Sequence, residues 1–66
     1  MTIQVNGEPL EIDTGAGVLD LLERLGLAGK FVAVERNRVV VSFRKFAETF
    51  FEDGDVVEVV TLVGGG

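Results

Sequence analysis

The chain has 66 residues, enough for one small domain, and 47% of them are hydrophobic, so it can bury a core. It contains no cysteine and no histidine, which excludes disulfides, thiol chemistry and the usual zinc ligands. Six basic and 11 acidic residues give a formal charge of −5, which repels the phosphates of a nucleic acid. We therefore expect a protein partner with a basic docking face.

We expect neither a signal peptide nor a membrane span in this sequence. The first residues, Met1 to Gln4, lack the basic segment and the apolar run of a signal peptide. No stretch approaches the roughly 20 apolar residues of a membrane span. We expect a cytoplasmic protein with no membrane partner.

The first elements are predicted to form a β-hairpin. Residues 2–5 and 10–13 alternate polar and apolar side chains, as in half-buried strands. Between them, Asn6-Gly7 tolerates the positive φ angles of a tight turn. Pro9 has no N–H to donate, so the second strand is expected at an edge of the sheet.

A helix is predicted from Val18 onwards, where the hydrophobic period changes. Asp20 falls in its first turn, where the helix dipole favours a negative charge, and Gly26 suits a left-handed C-terminal cap. Leu19 widens the apolar stripe. That stripe, at i, i+3, i+4 and i+7, consists of Val18, Leu21, Leu22 and Leu25.

Three further strands are predicted in the second half of the chain. Residues 31–35 and the short run 39–41 are joined at Asn37-Arg38, and the β-branched run 56–63 suits a central strand. Residues 42–51 predict an irregular helical turn or a packed loop. The turn before the last strand is Asp53-Gly54-Asp55, and a turn role alone explains its two aspartates.

This order of elements predicts an α+β fold of the β-grasp, or ubiquitin-like, type. A helix of about two turns cannot form a layer alone and must cover one face of a mixed sheet of four to five strands. We assign residues 1–63 to the β-grasp domain and residues 64–66 to a flexible C-terminal glycine tail.

The tail is the feature that carries chemistry. Gly64-Gly65-Gly66 can extend roughly 10 Å and thread a narrow channel, delivering an unencumbered α-carboxylate. A carboxylate becomes an electrophile once it is activated, for example as an acyl-adenylate. Gly15-Ala16-Gly17 lacks the lysine and the spacing of an ATP-binding loop, so another protein must handle ATP. Terminal glycines also arise by chance or by cloning, but their position after the last strand favours a function.

Several stretches in order along the chain carry a resemblance to a known family. They are Val5-Asn6-Gly7-Glu8, Asp20-Leu21-Leu22, Val34-Glu35-Arg36-Asn37, Asp53 to Val60, and Leu62-Val63-Gly64-Gly65-Gly66. The chain resembles the ThiS family, the sulfur carrier proteins of thiamine biosynthesis, from end to end. It departs from many members at Arg38, where they carry glycine, and at Ser42-Phe43, where they carry Pro-Arg.

The resemblance implies a carrier that is not itself an enzyme and binds no cofactor or metal of its own. A ubiquitin-activating-like adenylyltransferase of the ThiF type, using ATP and Mg²⁺, would adenylate Gly66. Sulfur from a donor system, originating from cysteine, would displace AMP to leave a thiocarboxylate. Thiazole synthase of the ThiG type would then take the sulfur. Gly64 and Gly65 would lie in the partner's channel.

Two alternatives stay open. The small subunit of molybdopterin synthase shares the fold, the diglycine end and the thiocarboxylate chemistry, although the chain's size and its Leu62 to Gly66 ending favour the thiamine pathway. A ubiquitin-like binding module or a lysine modifier would use the tail differently or not at all.

The last strand and the phenylalanines are candidates for docking. Alternation places Val57 and Val59 under the helix, and Val60 and Leu62 on the open face, where with Val63 they would form a docking patch. Four of the five phenylalanines lie between Phe43 and Phe51, and we expect most of them to fill the core. Acidic side chains at residues 8, 11 and 13 fit a solvated strand face better than a cation site.

Overall fold

The structure, a computed structural model, describes residues 1–62. The elements are β1 (Thr2–Val5), β2 (Glu8–Glu11), α1 (Val18–Arg24), β3 (Val32–Arg36), β4 (Val39–Val41), a 3-10 helix (Phe43–Glu48) and β5 (Val56–Thr61). Within residues 1–62, the five strands form one sheet of order β2-β1-β5-β3-β4, in which only the β1–β5 pair is parallel. This is the predicted β-grasp.

The opening hairpin forms with its turn at Asn6-Gly7, as predicted, but its second strand is Glu8–Glu11 and not residues 10–13, because Val5 already pairs with Glu8. Asn6 and Gly7 have φ angles of 51° and 85°, the positive values that a tight two-residue turn requires. In β2, Pro9 pairs with Gln4 of β1, and β2 is an edge strand of the sheet. No strand of the described chain lies beyond β2, so no sheet hydrogen bond is lost there because proline has no N–H.

Helix α1 has the two ends that the sequence predicts. The carboxylate of Asp20 accepts a hydrogen bond from the Gly17 N–H at 2.8 Å. At the other end Gly26 has a φ of 73°, and the N–H of Leu27 donates to the Leu22 carbonyl at 2.7 Å. This 6→1 bond is the mark of a Schellman cap, which satisfies carbonyls left free by the last turn.

The buried stripe of α1 is narrower than predicted. Val18, Leu21 and Leu22 are buried, but Leu19 and Leu25 are exposed. The helix ends at Arg24, after only seven residues, so Leu25 lies at the C-cap, past the part of the helix that covers the sheet. The buried face of the helix therefore lacks two members of the predicted apolar stripe, Leu19 and Leu25.

Gly17 is required where the loop before α1 meets the chain after the 3-10 helix. A Cβ at this position would lie 2.4 Å from the backbone oxygen of Thr49, too close for any side chain. That oxygen accepts from the Val18 N–H at 3.0 Å, and the Phe51 N–H donates to the Ala16 carbonyl at 2.9 Å. The close approach ties the start of the helix to the irregular segment.

The core lies between α1 and the sheet and is almost entirely aliphatic. Phe51 is its one aromatic member among the described residues, Phe46 packs partly against it, and Phe31, Phe43 and Phe50 are exposed. The prediction that most phenylalanines fill the core was wrong, because a seven-residue helix over a small sheet leaves little volume for rings. The buried aliphatic residues are Ile3, Val5, Ile12, Ala16, Val18, Leu21, Leu22, Val32, Val34, Val57 and Val59.

Candidate functional site: the surface where the C-terminal tail leaves the sheet

The predicted functional residues Gly64, Gly65 and Gly66, and the predicted docking residue Val63, lie outside the described residues. Their roles remain predictions. The site can be described up to Leu62, the residue from which the tail continues.

The tail leaves from the end of the central strand. β5 lies between β1 and β3, as predicted for the last strand. Its final residue, Thr61, pairs with Val32 of β3, and the N–H of Leu62 then donates to the Phe31 carbonyl at 2.9 Å. The chain is thus held by backbone hydrogen bonds up to four residues before its end, so the tail starts from a fixed point.

The strand phase was predicted correctly within β5. Val57 and Val59 are buried, whereas Val60 is 58% exposed on the open face, where it pairs with Ala33 of β3. Leu62 is also exposed, at 54%. However, Leu62 lines a cleft together with residues of α1, so the two predicted docking residues do not form one patch on the open face. Regular alternation ends with β5 at Thr61.

This cleft, which we call the tail-exit cleft, has a volume of about 490 Å³ and a mainly apolar lining. Phe31 is 85% exposed, and the guanidinium of Arg44 lies 5.7 Å from the centre of the Phe43 ring. A cation over an aromatic face at this distance is an attractive contact. The principal lining side chains are Leu19, Leu22, Phe31, Phe43, Phe46 and Leu62, with Lys30 and Arg44 as the charged members.

Large apolar side chains that stay exposed around a concave surface are a common sign of a binding site. Here they surround the residue from which the tail departs. Three of the five phenylalanines, Phe31, Phe43 and Phe46, therefore line the candidate docking surface together with Leu19. The helical spacing of Leu19, Phe43 and Phe46 does not distinguish a core face from an exposed apolar face.

A buried carboxylate locks the opposite end of β5. Asp55 accepts hydrogen bonds from Arg36 Nε at 2.7 Å, from Asn37 Nδ2 at 3.1 Å and from the Glu52 N–H at 2.9 Å. Burial raises the pKa of the Asp55 carboxyl, but the hydrogen bonds from Glu52, Asn37 and Arg36, with the charge of Arg36, outweigh burial and lower it.

The sequence analysis missed this role, because it explained Asp55 by the turn alone. The contact joins two of the stretches that carry the family resemblance, residues 34–37 and 53–60. Asn37 completes the junction, since its Oδ1 accepts from the Val56 N–H at 2.9 Å. The two stretches are therefore one structural unit, which fixes the start of the strand that ends at the tail.

Residues 1–62 contain no helix long and apolar enough to span a membrane. In the same part of the chain, no three acidic side chains come close enough together to hold a metal ion. The amino end of α1 is already occupied by the carboxylate of Asp20.

The fold and this site define a ubiquitin-like β-grasp protein whose central strand leads into a C-terminal run of glycines. The sequence model of the ThiS family matches residues 3–66, and the chain belongs to that family. A crystal structure of the thiamine biosynthesis protein (ThiS) from Geobacter metallireducens superposes with a TM-score of 0.83 at 38% identity, covering 100% of both chains.

Two relatives differ in how much of their length the chain covers. The sulfur carrier protein ThiS of Bacillus subtilis is 37% identical over 65 residues, covering 97% of this chain and 98% of the relative. A thiazole synthase of Magnetococcus marinus is 42% identical over 66 residues, covering all of this chain. The chain spans only 20% of the length of that synthase.

Proposed function

We propose that this chain is a sulfur carrier of thiamine biosynthesis that holds sulfur as a thiocarboxylate on Gly66. The observation that carries the proposal is the path of the chain. A central strand, fixed at one end by Asp55 and at the other by the Leu62–Phe31 hydrogen bond, leads into the glycine tail. Membership of the ThiS family supports the same function.

The proposed chemistry takes place at the terminal carboxylate. A partner adenylyltransferase uses ATP and Mg²⁺ to convert the Gly66 carboxylate into an acyl-adenylate, releasing pyrophosphate. Sulfur at the sulfide level attacks the carbonyl carbon, and the bond to AMP breaks, leaving a thiocarboxylate. The chain has no cysteine, so Gly66 is the evident place for it to hold sulfur covalently. The chain is a co-substrate in this scheme and not a catalyst.

Thiazole synthase is the proposed acceptor of the sulfur. Two relatives of that name, from Magnetococcus marinus and Paramagnetospirillum magneticum, each contain a region similar to the whole of this chain. In each of them that region is about a fifth of the length. The presence of a carrier-like region within a synthase supports the proposal that the carrier and thiazole synthase work together.

We propose that the tail-exit cleft docks the adenylyltransferase and so aims the tail at its active site. Phe31, Phe43 and Leu62 would bury apolar surface against the partner, and Val60 would extend the contact onto the open face. Gly64 and Gly65, which have no side chains, would then pass through a narrow channel. The unusual exposure of Phe31 supports this assignment, since burying one ring contributes a large share of an interface.

The small subunit of molybdopterin synthase remains the alternative with the same chemistry. The match to the ThiS family and the relatives named above favour the thiamine pathway. A binding module or lysine modifier would have no thiocarboxylate.

Mass spectrometry of the intact chain from its own cells tests the function directly. Exchange of one oxygen for sulfur at the terminus adds about 16 Da. We expect this species to be lost in cells without the adenylyltransferase and to accumulate in cells without thiazole synthase. Accumulation in cells without the large subunit of molybdopterin synthase instead would favour the alternative, and absence of the heavier species in all of these cells would contradict the proposal.

A further inference from the structure

The two edges of the sheet differ in how they are protected. The β2 edge carries Pro9 between two glutamates, Glu8 and Glu11, which discourage pairing with another strand. The β4 edge is three valines, of which Val39 is 66% and Val40 is 69% exposed. An exposed apolar edge strand is a template for a further strand.

The backbone of Val40 is oriented for such pairing. The turn between β3 and β4 has two residues, Asn37 and Arg38, and the flanking pair is Arg36 with Val39. In a hairpin of this length the flanking pair exchanges its hydrogen bonds, and the next pair does not. Val40 belongs to that next pair, opposite Glu35, so its N–H and C=O point away from the sheet.

The charge around β4 is opposite to that of the rest of the chain. Residues 36–47 include four basic residues and no acidic one, a charge of +4. The remainder of the chain, with two basic and 11 acidic residues, carries −9. Arg36 is engaged with the buried Asp55, and Lys45 makes a long, exposed contact of 3.9 Å with Glu48; Arg38 precedes β4, and Arg44 and Lys45 follow it. The partner with a basic docking face that the net charge predicts does not suit this edge.

A groove of about 550 Å³ runs along the same edge, lined by Val39, Val40, Val41, Lys45 and Thr49 among others. We propose that β4 pairs with an extended, acidic segment of a partner protein, which adds a sixth strand to the sheet. Val40 supplies the backbone hydrogen bonds, and Arg38 and Lys45 attract the acidic side chains at the two ends. The groove shares no lining residue with the tail-exit cleft, so this contact leaves the cleft free.

The charge pattern also favours one kind of partner for the β4 edge over two others. A second copy pairing through its own β4 would bring two basic segments together, which electrostatic repulsion disfavours. A nucleic acid would use the basic residues, but it would leave the exposed valines of β4 without an apolar partner. An acidic strand satisfies both features.

The test uses the full chain, labelled with ¹⁵N, and a short synthetic peptide in which valine and threonine alternate between terminal glutamates. We expect its addition at about 1 mM to shift the amide signals of β4 and its flanks. Val40→Pro removes the outward N–H while leaving the β3–β4 bonds intact, and should weaken binding at least about tenfold. Val40→Thr keeps the N–H and should bind within about threefold of the parent.

A double variant, Arg38→Asn with Lys45→Gln, keeps the test decisive if the proline destabilises the chain. Asparagine tolerates the positive φ of 69° at position 38. The double variant should bind the acidic peptide more weakly and keep the parent's melting temperature. A peptide with lysines in place of the glutamates should not bind. The proposal is overturned if the acidic peptide does not bind or binds the charge variant equally. It is also overturned if the lysine peptide or an oligonucleotide shifts the same signals, or if the chain alone sediments as a β4-dependent dimer.

Discussion

The side-chain amide of Asn6 makes two hydrogen bonds to the backbone of Val59. Its Oδ1 accepts from the Val59 N–H at 2.8 Å, and its Nδ2 donates to the Val59 carbonyl at 3.1 Å. The parallel β1–β5 pairing has only two register pairs, Gln4 with Val56 and Val5 with Val57. The Asn6 side chain therefore extends the β1–β5 hydrogen-bond ladder by one rung, and it holds the part of β5 that precedes the tail.

Asn6→Gly tests this rung. Glycine adopts the φ of 51° without strain but leaves the Val59 N–H and carbonyl without their side-chain partner. We expect the free energy of unfolding to fall by about 1–3 kcal/mol in urea titrations, because partly buried backbone groups lose their hydrogen bonds. Asn6→Asp, which keeps the acceptor for Val59 N–H, is the matched control and should lose less. Equal stability of Asn6→Gly and the parent would show that the rung contributes nothing.

Asp55 predicts the acid limit of stability. The folded-state pKa of this carboxyl lies below its ordinary value of 3.8, so its contribution is present above about pH 3.8 and is lost as the pH falls through the folded-state pKa. Asp55→Asn should lower the free energy of unfolding by about 1–3 kcal/mol at pH 7. Between about pH 5 and pH 2, the free energy of unfolding of Asp55→Asn should fall by less than that of the parent.

Asp53→Asn is the control for this experiment. Asp53 also accepts a backbone hydrogen bond, from the Thr2 N–H, but its side chain is exposed, whereas that of Asp55 is buried. Its variant should keep the parent's acid sensitivity. If Asp55→Asn and the parent lose stability in parallel as the pH falls, the ion pair with Arg36 does not set the acid limit.

These two contacts show which parts of the structure could be predicted from the sequence. The hairpin at Asn6-Gly7 and the phase of Val57 and Val59 follow from local chemistry and a period of two. The contacts Asn6–Val59 and Arg36–Asp55 join residues far apart in the chain, and no local pattern specifies such pairs. The exposure of Phe31 likewise depends on how little of the sheet a seven-residue helix covers, which periodicity does not report.

Leu62→Asp separates docking from folding. Leu62 is about half exposed, so the variant should melt within a few degrees of the parent. Its affinity for the cognate adenylyltransferase should fall by at least about 2 kcal/mol, because an apolar interface would bury an unpaired carboxylate. Calorimetric titration measures the affinity.

Val56→Asp is the control for Leu62→Asp, since Val56 is exposed on β5 at the far end from the tail. It should bind as the parent does. An unstable Leu62→Asp would show that Leu62 is a core residue, and a stable variant with parental affinity would remove the tail-exit cleft from the docking surface.

Gly65→Val tests whether the tail passes through a narrow channel. A β-branched side chain widens the tail and restricts its backbone, so we expect a normally folded chain that the adenylyltransferase activates at least about a hundredfold more slowly. Gly65→Ala should lie between the two. Activation of Gly65→Val at the parental rate would show that the partner does not close around this position.

Pyrophosphate exchange by the cognate adenylyltransferase, with the chain lacking Gly66 as its substrate, tests the central claim most directly. The proposal that the Gly66 carboxylate is the activated group predicts that exchange depends on the full-length chain. It also predicts that exchange falls to the background seen without any carrier, while the circular dichroism and melting temperature of the shortened chain match the parent. Undiminished exchange with the shortened, folded chain would contradict the assignment of Gly66 as the site of activation.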